Sequence, residues 1–115
     1  MTEAMNDQNV LEKKGSNTID YNNGIAKIIT YNLFQNYPNP FNPATAINYQ
    51  LPENGFVTLK IYDILGEEVA SLVNEQKNQG RYSVNFDASR LASGVYIYRL
   101  QVNDYVSSKK MLLLK

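Results

Sequence analysis

The chain has 115 residues, and its eleven basic and eleven acidic side chains give a formal net charge of zero. A neutral chain has no global field with which to gather nucleic acid or an anionic membrane, so neither partner is indicated. Cys and His are both absent, which excludes disulfides, thiolate nucleophiles and the commonest general base and metal ligand. No apolar run approaches the roughly 20 residues that a membrane-spanning helix needs.

The first 31 residues are predicted to be a disordered lead, a linker or the remnant of a cargo domain. Residues 1–16 are polar and without a sustained period, which is typical of disorder. They contain no apolar core of a signal peptide, so we expect any export signal to belong to a longer precursor. Asn22, Asn23 and Gly24 form a turn signal, and the apolar residues in 25–31 favour a short strand.

Three prolines between residues 36 and 43 exclude a helix there. Each proline fixes its own φ, and each pushes the preceding residue out of the helical region, so this segment is predicted to be turn or extended. We expect Tyr37 and Phe41 to pin it to a core. In the next segment, Thr45, Ile47, Tyr49 and Leu51 share one face, while residues 46, 48 and 50 share the other.

The middle of the chain reads as two further strands joined by a tight turn. Residues 57–62 alternate, with the odd positions apolar, and stop at residues 63–66, where Gly66 can adopt positive φ. That turn leads into a strand predicted over residues 67–73. The polar residues 74–80 are predicted to form a loop.

The last third of the chain continues the same pattern. Residues 82–86 alternate as a half-buried strand, and residues 87–94 form a connection. Between residues 95 and 102 the even-numbered side chains share one face. A tight turn at residues 103–104 then leads into a final strand over residues 105–115. Six or seven short strands, with turns at roughly 8–12-residue spacing and no helical crossover, predict an all-β, antiparallel immunoglobulin-like β-sandwich.

The carboxylates do not form a catalytic or metal-binding pattern. Glu67 and Glu68 would point to opposite faces of a strand, so they are poorly arranged as a glycosidase pair and are better interpreted as a solvated strand start. Asp63, Asp87 and Asp104 stand beside predicted turns, where Asp caps local N–H groups. No calcium-loop motif, phosphate loop or nucleophile elbow occurs, so no cofactor or enzymatic activity is predicted.

Two features near the end of the chain admit a binding interpretation. Tyr96 and Tyr98 beside Arg99 resemble a stacking platform for bases or sugars, although the strand preference of aromatics favours core-facing rings. Lys109 and Lys110 are too few for a nucleic-acid footprint. As charges flanking an apolar strand they suit the protection of an exposed edge, at which weak self-association is also expected.

Several separated motifs, in one order over residues 33–115, closely resemble the type A C-terminal sorting domain of type IX secretion. They are the Tyr-Pro-Asn-Pro-Phe stretch from Tyr37, the Leu-Lys-Ile-Tyr-Asp stretch from Leu59 with Gly66 and Val69, the Ser-Gly-Val-Tyr stretch ending at Tyr96, and the terminal run from Lys109. By this resemblance the sorting-motif and partner-recognition residues are Tyr37, Pro38, Asn39, Pro40, Phe41, Gly66, Gly94, Tyr96, Lys109, Lys110, Leu112, Leu114 and Lys115. Glu67 departs from the family, which often carries Arg there.

The resemblance implies a non-catalytic signal that directs an exported protein through the type IX translocon to the cell surface or medium, by way of the periplasm. Its implied partners are the translocon and a surface peptidase. Residues 32–115 are then the sorting domain, recognised through its folded sandwich and its terminal strand. The alternative is an Ig-like structural or adhesive domain that spaces or docks a catalytic neighbour; a strand that runs to the very end of the chain favours the sorting signal.

Overall fold

The computed structural model of the chain describes residues 19–20 and 25–115, in which all regular structure is β-strand. The predicted disordered lead and the predicted turn at Asn22 to Gly24 lie outside the described residues. The strands are β1 (Ile19–Asp20), β2 (Ile25–Ala26), β3 (Asn32–Leu33), β4 (Ala44–Leu51), β5 (Gly55–Tyr62), β6 (Glu68–Lys77), β7 (Gly80–Asp87), β8 (Gly94–Val102) and β9 (Tyr105–Leu113).

Strands β3 to β9 form two antiparallel sheets. The first has three strands in the order β3-β4-β7, and the second has four in the order β6-β5-β8-β9. The short strands β1 and β2 pair with each other. The predicted all-β fold, an antiparallel sandwich of about seven strands, is thereby confirmed.

One core lies between the two sheets, and the predicted alternation decides which side chains enter it. The odd-numbered residues of β5 and the even-numbered residues of β8 from Tyr96 onward are buried, as predicted. The core residues with the least exposure are Leu33, Phe41, Ile47, Tyr49, Leu51, Val57, Leu59, Ile61, Ala88, Tyr98, Leu100, Val102, Met111 and Leu113. Because side chains on a strand point alternately to opposite faces, this period-2 pattern accounts for most of the core.

Gln50 departs from the alternation of β4. The alternation places it on the same face as residues 46 and 48, yet it is fully buried. Its side-chain amide donates to the backbone carbonyl of Thr30 at 3.1 Å. The chain before β3 therefore covers this position, a long-range contact that a pattern within β4 does not reveal.

The predicted loop over residues 74–80 is wrong, because β6 continues to Lys77. Strand β6 pairs with β5 along the whole length of β5, as far as Lys77 opposite Gly55. Only residues 78 and 79 connect β6 to β7. Lys77 forms an ion pair with Glu75 at 2.9 Å and lies 5.2 Å from the centre of the Tyr82 ring. Polar residues suit this strand because it is an edge with much of its surface in solvent, and their polarity hid it in the sequence.

Residues 27–31 do not continue the strand that was predicted from residue 25 onwards. They pack against the sandwich instead: Ile28 is buried, and the Tyr31 ring stacks on Tyr105 with centroids 5.0 Å apart. The Tyr31 hydroxyl donates to Glu53 at 2.8 Å and accepts from the Asn103 side chain at 2.9 Å. Packing against the sandwich therefore extends back at least to Ile28.

Candidate functional site

Asn36 fixes the start of the proline-rich segment, residues 36–43, from a buried position. Its side-chain amide donates to the Pro38 carbonyl at 3.1 Å and to the Thr45 hydroxyl at 3.0 Å, and that hydroxyl donates to Pro38 at 2.8 Å. The Asn36 backbone N–H donates to the Tyr98 hydroxyl at 2.8 Å. The peptide bonds before all three prolines of the segment are cis. Local polar contacts and one tyrosine of β8 thus fix the turn.

The two aromatic residues of the segment have opposite environments. Phe41 is buried and lies 6.2 Å from the Phe86 ring, as predicted. Tyr37 was predicted to enter the core with it, and this is wrong, because its side chain is 80% exposed. Tyr37 exchanges two backbone hydrogen bonds with Ala46, and since paired residues share a sheet face, its ring points outward as Ala46 does.

The proline-rich segment also covers part of the outer edge of β9. Phe41 N–H donates to the Leu112 carbonyl at 2.9 Å, and Leu114 N–H donates to the Phe41 carbonyl at 3.0 Å. Leu112 N–H donates to the Asn39 side chain at 3.0 Å, and the Gln35 side chain donates to the Lys110 carbonyl at 2.7 Å. The chain thus leaves the first sheet after β3 and runs beside the last strand of the second.

Side chains on β9 alternate between the core and solvent. Met111 and Leu113 are buried, Leu112 is half-buried and Leu114 is 51% exposed. Lys110 is exposed and Lys109 half-buried. Of the predicted terminal residues, Lys110, Leu112 and Leu114 therefore face outward from the four-stranded sheet.

Lys115 ties the end of β9 to the connection between β7 and β8. Its backbone N–H donates to the Ser93 hydroxyl at 2.9 Å, and its ammonium donates to the Ser89 carbonyl. Asp87 accepts hydrogen bonds from the Ser89 hydroxyl and backbone N–H. These bonds, assisted by the charge of Lys115, lower the pKa of the Asp87 carboxyl below its ordinary value.

Gly94 and Tyr96 shape the start of β8. Gly94 has φ of 152°, which side-chain-bearing residues rarely adopt. Tyr96 is buried, and its hydroxyl donates to the Ala92 carbonyl at 2.7 Å. This bond closes the loop before β8. Gly94 and Tyr96 therefore both stabilise the local conformation of the chain.

Gly66 ends the tight turn between β5 and β6. Its φ is 86°, as the sequence predicted, and its N–H donates to the Asp63 carbonyl at 3.0 Å. The Asp63 carboxylate accepts from Leu65 N–H and Glu67 N–H, both at 2.9 Å, which is the capping role expected of it. Glu68 forms an ion pair with Lys60 at 3.3 Å.

The positions predicted for partner recognition lie largely at one end of the sandwich. Gly94 pairs with Leu113, and Tyr96 pairs with Met111. Tyr62 pairs with Ile97, so the turn that contains Gly66 emerges at the same end, two strands away from β9. We call this end, formed by residues 37–43, 63–67, 88–94 and 112–115, the motif end. Lys109 lies farther along β9, opposite Tyr98.

The described residues contain no group of three or more His, Cys, Asp and Glu side chains able to hold a metal ion. Tyr96 and Tyr98 face the core, while Arg99 is exposed on the other face, so the three do not form a stacking platform. Burial raises the pKa of Tyr98 to about 12. No helix in the described part of the chain is long and apolar enough to cross a membrane.

Sequence reasoning missed two features of this end. One is Asn36, which adjoins this end; its signal was its place two residues before the first proline of the segment. The other is the pair Ile64 and Leu65, which the turn exposes. The exposure of this pair could have been predicted, because two large apolar residues in a capped turn lie on no strand face that packs against the core.

Fold and motif end together define a small immunoglobulin-like β-sandwich domain whose distinctive residues gather at one end. The chain belongs to the family described as the secretion system C-terminal sorting domain, whose sequence model matches residues 35–114. No curated protein matches the chain. The family is non-catalytic and supplies the C-terminal sorting signal of type IX secretion, so this domain interacts with that machinery and directs export toward the cell surface or the extracellular space.

Proposed function

We propose that the type IX translocon recognises this domain in its folded form, through the side chains that β9 directs outward at the motif end. The observation that carries the proposal is the alternation of the last strand, where Met111 and Leu113 hold the core while Leu112 and Leu114 face solvent. One strand can therefore stabilise the fold and present a surface at once. The other motif residues act mainly by holding this strand in position.

Recognition by strand addition, in which a partner strand pairs with β9, is restricted to part of its edge. From Lys110 to Leu114 the outward backbone groups already bond to Gln35, Asn39 and Phe41. By the two-residue repeat of a strand, Val106 and Ser108 direct their backbone groups to the same edge. Within the described part of the chain no hydrogen bond reaches those two groups, so strand addition stays a prediction for that half of β9.

In this proposal the exported protein crosses the periplasm before it reaches the translocon, and a surface peptidase then removes the domain. Residues 32–115 form the sorting domain, residues 28–31 pack against it, and the rest of the predicted lead over residues 1–31 is linker or cargo remnant. The contacts of Ile28 and Tyr31 with the sandwich support placing the peptidase's cut before residue 28, because a cut at residue 32 would divide a packed unit.

The experiment fuses the full chain to the C-terminus of a fluorescent reporter that carries a signal peptide. Its export is measured in a bacterium with and without a working type IX translocon. Leu114→Ser is compared with Val106→Ser, because both side chains face outward on β9 and their exposures, 51% and 49%, are matched. Neither substitution opens the core, whereas deletion of residues 111–115 would remove Met111 and Leu113.

We expect translocon-dependent export of the parent fusion, a fall of about tenfold or more for Leu114→Ser, and little change for Val106→Ser. Equal export of the two variants would contradict recognition by the outward side chains at the motif end. Retention of a folded parent fusion in the periplasm of both strains would instead favour the accessory Ig-like domain.

A further inference from the structure

The turn between β5 and β6 exposes two large aliphatic side chains side by side. Ile64 is 71% exposed and Leu65 is 80% exposed. Single exposed apolar residues are ordinary on protein surfaces. Two neighbours at the tip of a turn are less so, because both lie beyond the strands and neither contributes to the core.

The backbone of this turn is held in one conformation. Asp63 N–H donates to the Glu67 carbonyl at 3.0 Å, and the Asp63 carboxylate accepts from the N–H groups of Leu65 and Glu67. Gly66 adopts the positive φ that closes the loop. A partner that binds Ile64 and Leu65 would therefore lose little loop entropy on binding, which is the property of a preorganised anchor.

Charge divides the motif end into two halves. Asp63, Glu67 and Glu68 surround the turn, where Lys60 offsets one of the three through its ion pair with Glu68. The β9 side of the same end carries Lys115, and Lys110 lies exposed on β9 just before this end. A surface that is acidic at one side and basic at the other favours one docking orientation.

We propose that Ile64 and Leu65 are an apolar anchor that enters a pocket on a protein of the export machinery, and that basic groups line the rim of this pocket. The inference rests on the proposed function and adds a second contact to it, across the sheet from β9. Charge complementarity selects a protein over an anionic lipid surface, because the carboxylates around the turn would be repelled by such a surface.

The test uses the same reporter fusion with Ile64→Ser/Leu65→Ser. Its matched control is Ile29→Ser/Phe56→Ser, which removes two apolar side chains that are each 54% exposed and lie at the opposite end. Both purified double variants should keep the thermal unfolding midpoint of the parent, because none of the four side chains is buried. We expect export of the Ile64/Leu65 variant to fall about tenfold or more while the control is exported normally.

Three results would overturn the anchor. They are normal export of the Ile64/Leu65 variant, an equal loss of export in the Ile29/Phe56 control, and binding of the purified parent chain to phosphatidylglycerol-containing vesicles that the double variant loses. If the parent fusion itself shows no translocon-dependent export, the proposed function fails. If the parent and Leu114→Ser behave as proposed but the Ile64/Leu65 variant is exported normally, the anchor alone fails.

Discussion

Two tyrosines in the core differ only in what their hydroxyls meet. Tyr49 and Tyr98 are both almost completely buried. The Tyr98 hydroxyl donates to the Phe34 carbonyl at 2.7 Å and accepts from Asn36 N–H at 2.8 Å. The Tyr49 hydroxyl has no hydrogen-bond partner within the described residues, and its ring stacks on Tyr82. The Tyr98 hydroxyl therefore joins the proline-rich segment to β8. The Tyr49 hydroxyl loses its hydration on folding and gains no hydrogen bond within the described residues.

The same substitution should therefore act in opposite directions at the two sites. Tyr98→Phe should lower the free energy of unfolding by about 1–3 kcal/mol, because it leaves a buried N–H without its acceptor. Tyr49→Phe should leave the free energy of unfolding unchanged or raise it by up to about 1 kcal/mol, since no bond is lost. Urea unfolding of both variants checks this. Equal destabilisation by the two substitutions would show that the Tyr98 bonds do not stabilise the fold.

For single residues, the sequence predicted burial and conformation correctly wherever they depend on neighbouring residues in the chain. Alternation identified the core faces of β5 and β8, and the need for positive φ identified Gly66. The exposure of Tyr37 and the burial of Gln50 were not predicted. Tyr37 is turned outward by its pairing with Ala46, and Gln50 is covered by Thr30. Both outcomes depend on contacts between distant parts of the chain.

Strand β9 lies at the edge of its sheet, yet part of it is held on both sides. Its inner edge pairs with β8 along its whole length, and Gln35 and the proline-rich segment bond to its outer edge from Lys110 onward. The sequence predicted the strand and predicted that the segment is not helical. It did not predict that the two meet, because that pairing joins residues more than seventy positions apart. The polar end of β6 was not predicted as a strand for a similar reason, because its pairing with β5, and not its own residue pattern, makes it a strand.

Hydrogen exchange should report this uneven edge. The amides of Leu112 and Leu114 should exchange slowly, since each donates to the proline-rich segment, whereas those of Val106 and Ser108 should exchange fast. Asn39→Ala removes the acceptor of Leu112, so the protection of that amide should fall roughly three- to tenfold, as expected for about 0.5–1.5 kcal/mol. NMR-detected exchange measures each amide separately, and Leu114, which bonds to Phe41, is the internal control. Uniform protection along β9 would contradict the arrangement.

As a whole, the molecule is built to be indifferent to pH near neutrality. The chain has no His and no Cys, so no side chain has an ordinary pKa between about 5 and 8. Its formal charge of zero adds no net self-repulsion. Stability then rests on packing between the two sheets, and the first ionisations to disturb that packing on the alkaline side are those of the core tyrosines.

Burial raises the pKa values of Tyr49 and Tyr98 to about 12, against an ordinary value of 10.0. A raised pKa means that the folded state holds its proton more tightly than the unfolded chain, so this contribution is fully present below pH 10. It is lost as the pH rises toward 12. Urea unfolding midpoints should therefore be level from about pH 6 to 9 and fall steeply between about pH 10 and 12. Tyr49→Phe removes one of the two ionisations without removing a hydrogen bond, so its midpoint should fall less steeply over the same interval. An identical alkaline slope for the parent and Tyr49→Phe would show that Tyr49 does not ionise during unfolding, and the loss would then have to come from Tyr98 or from groups outside the core.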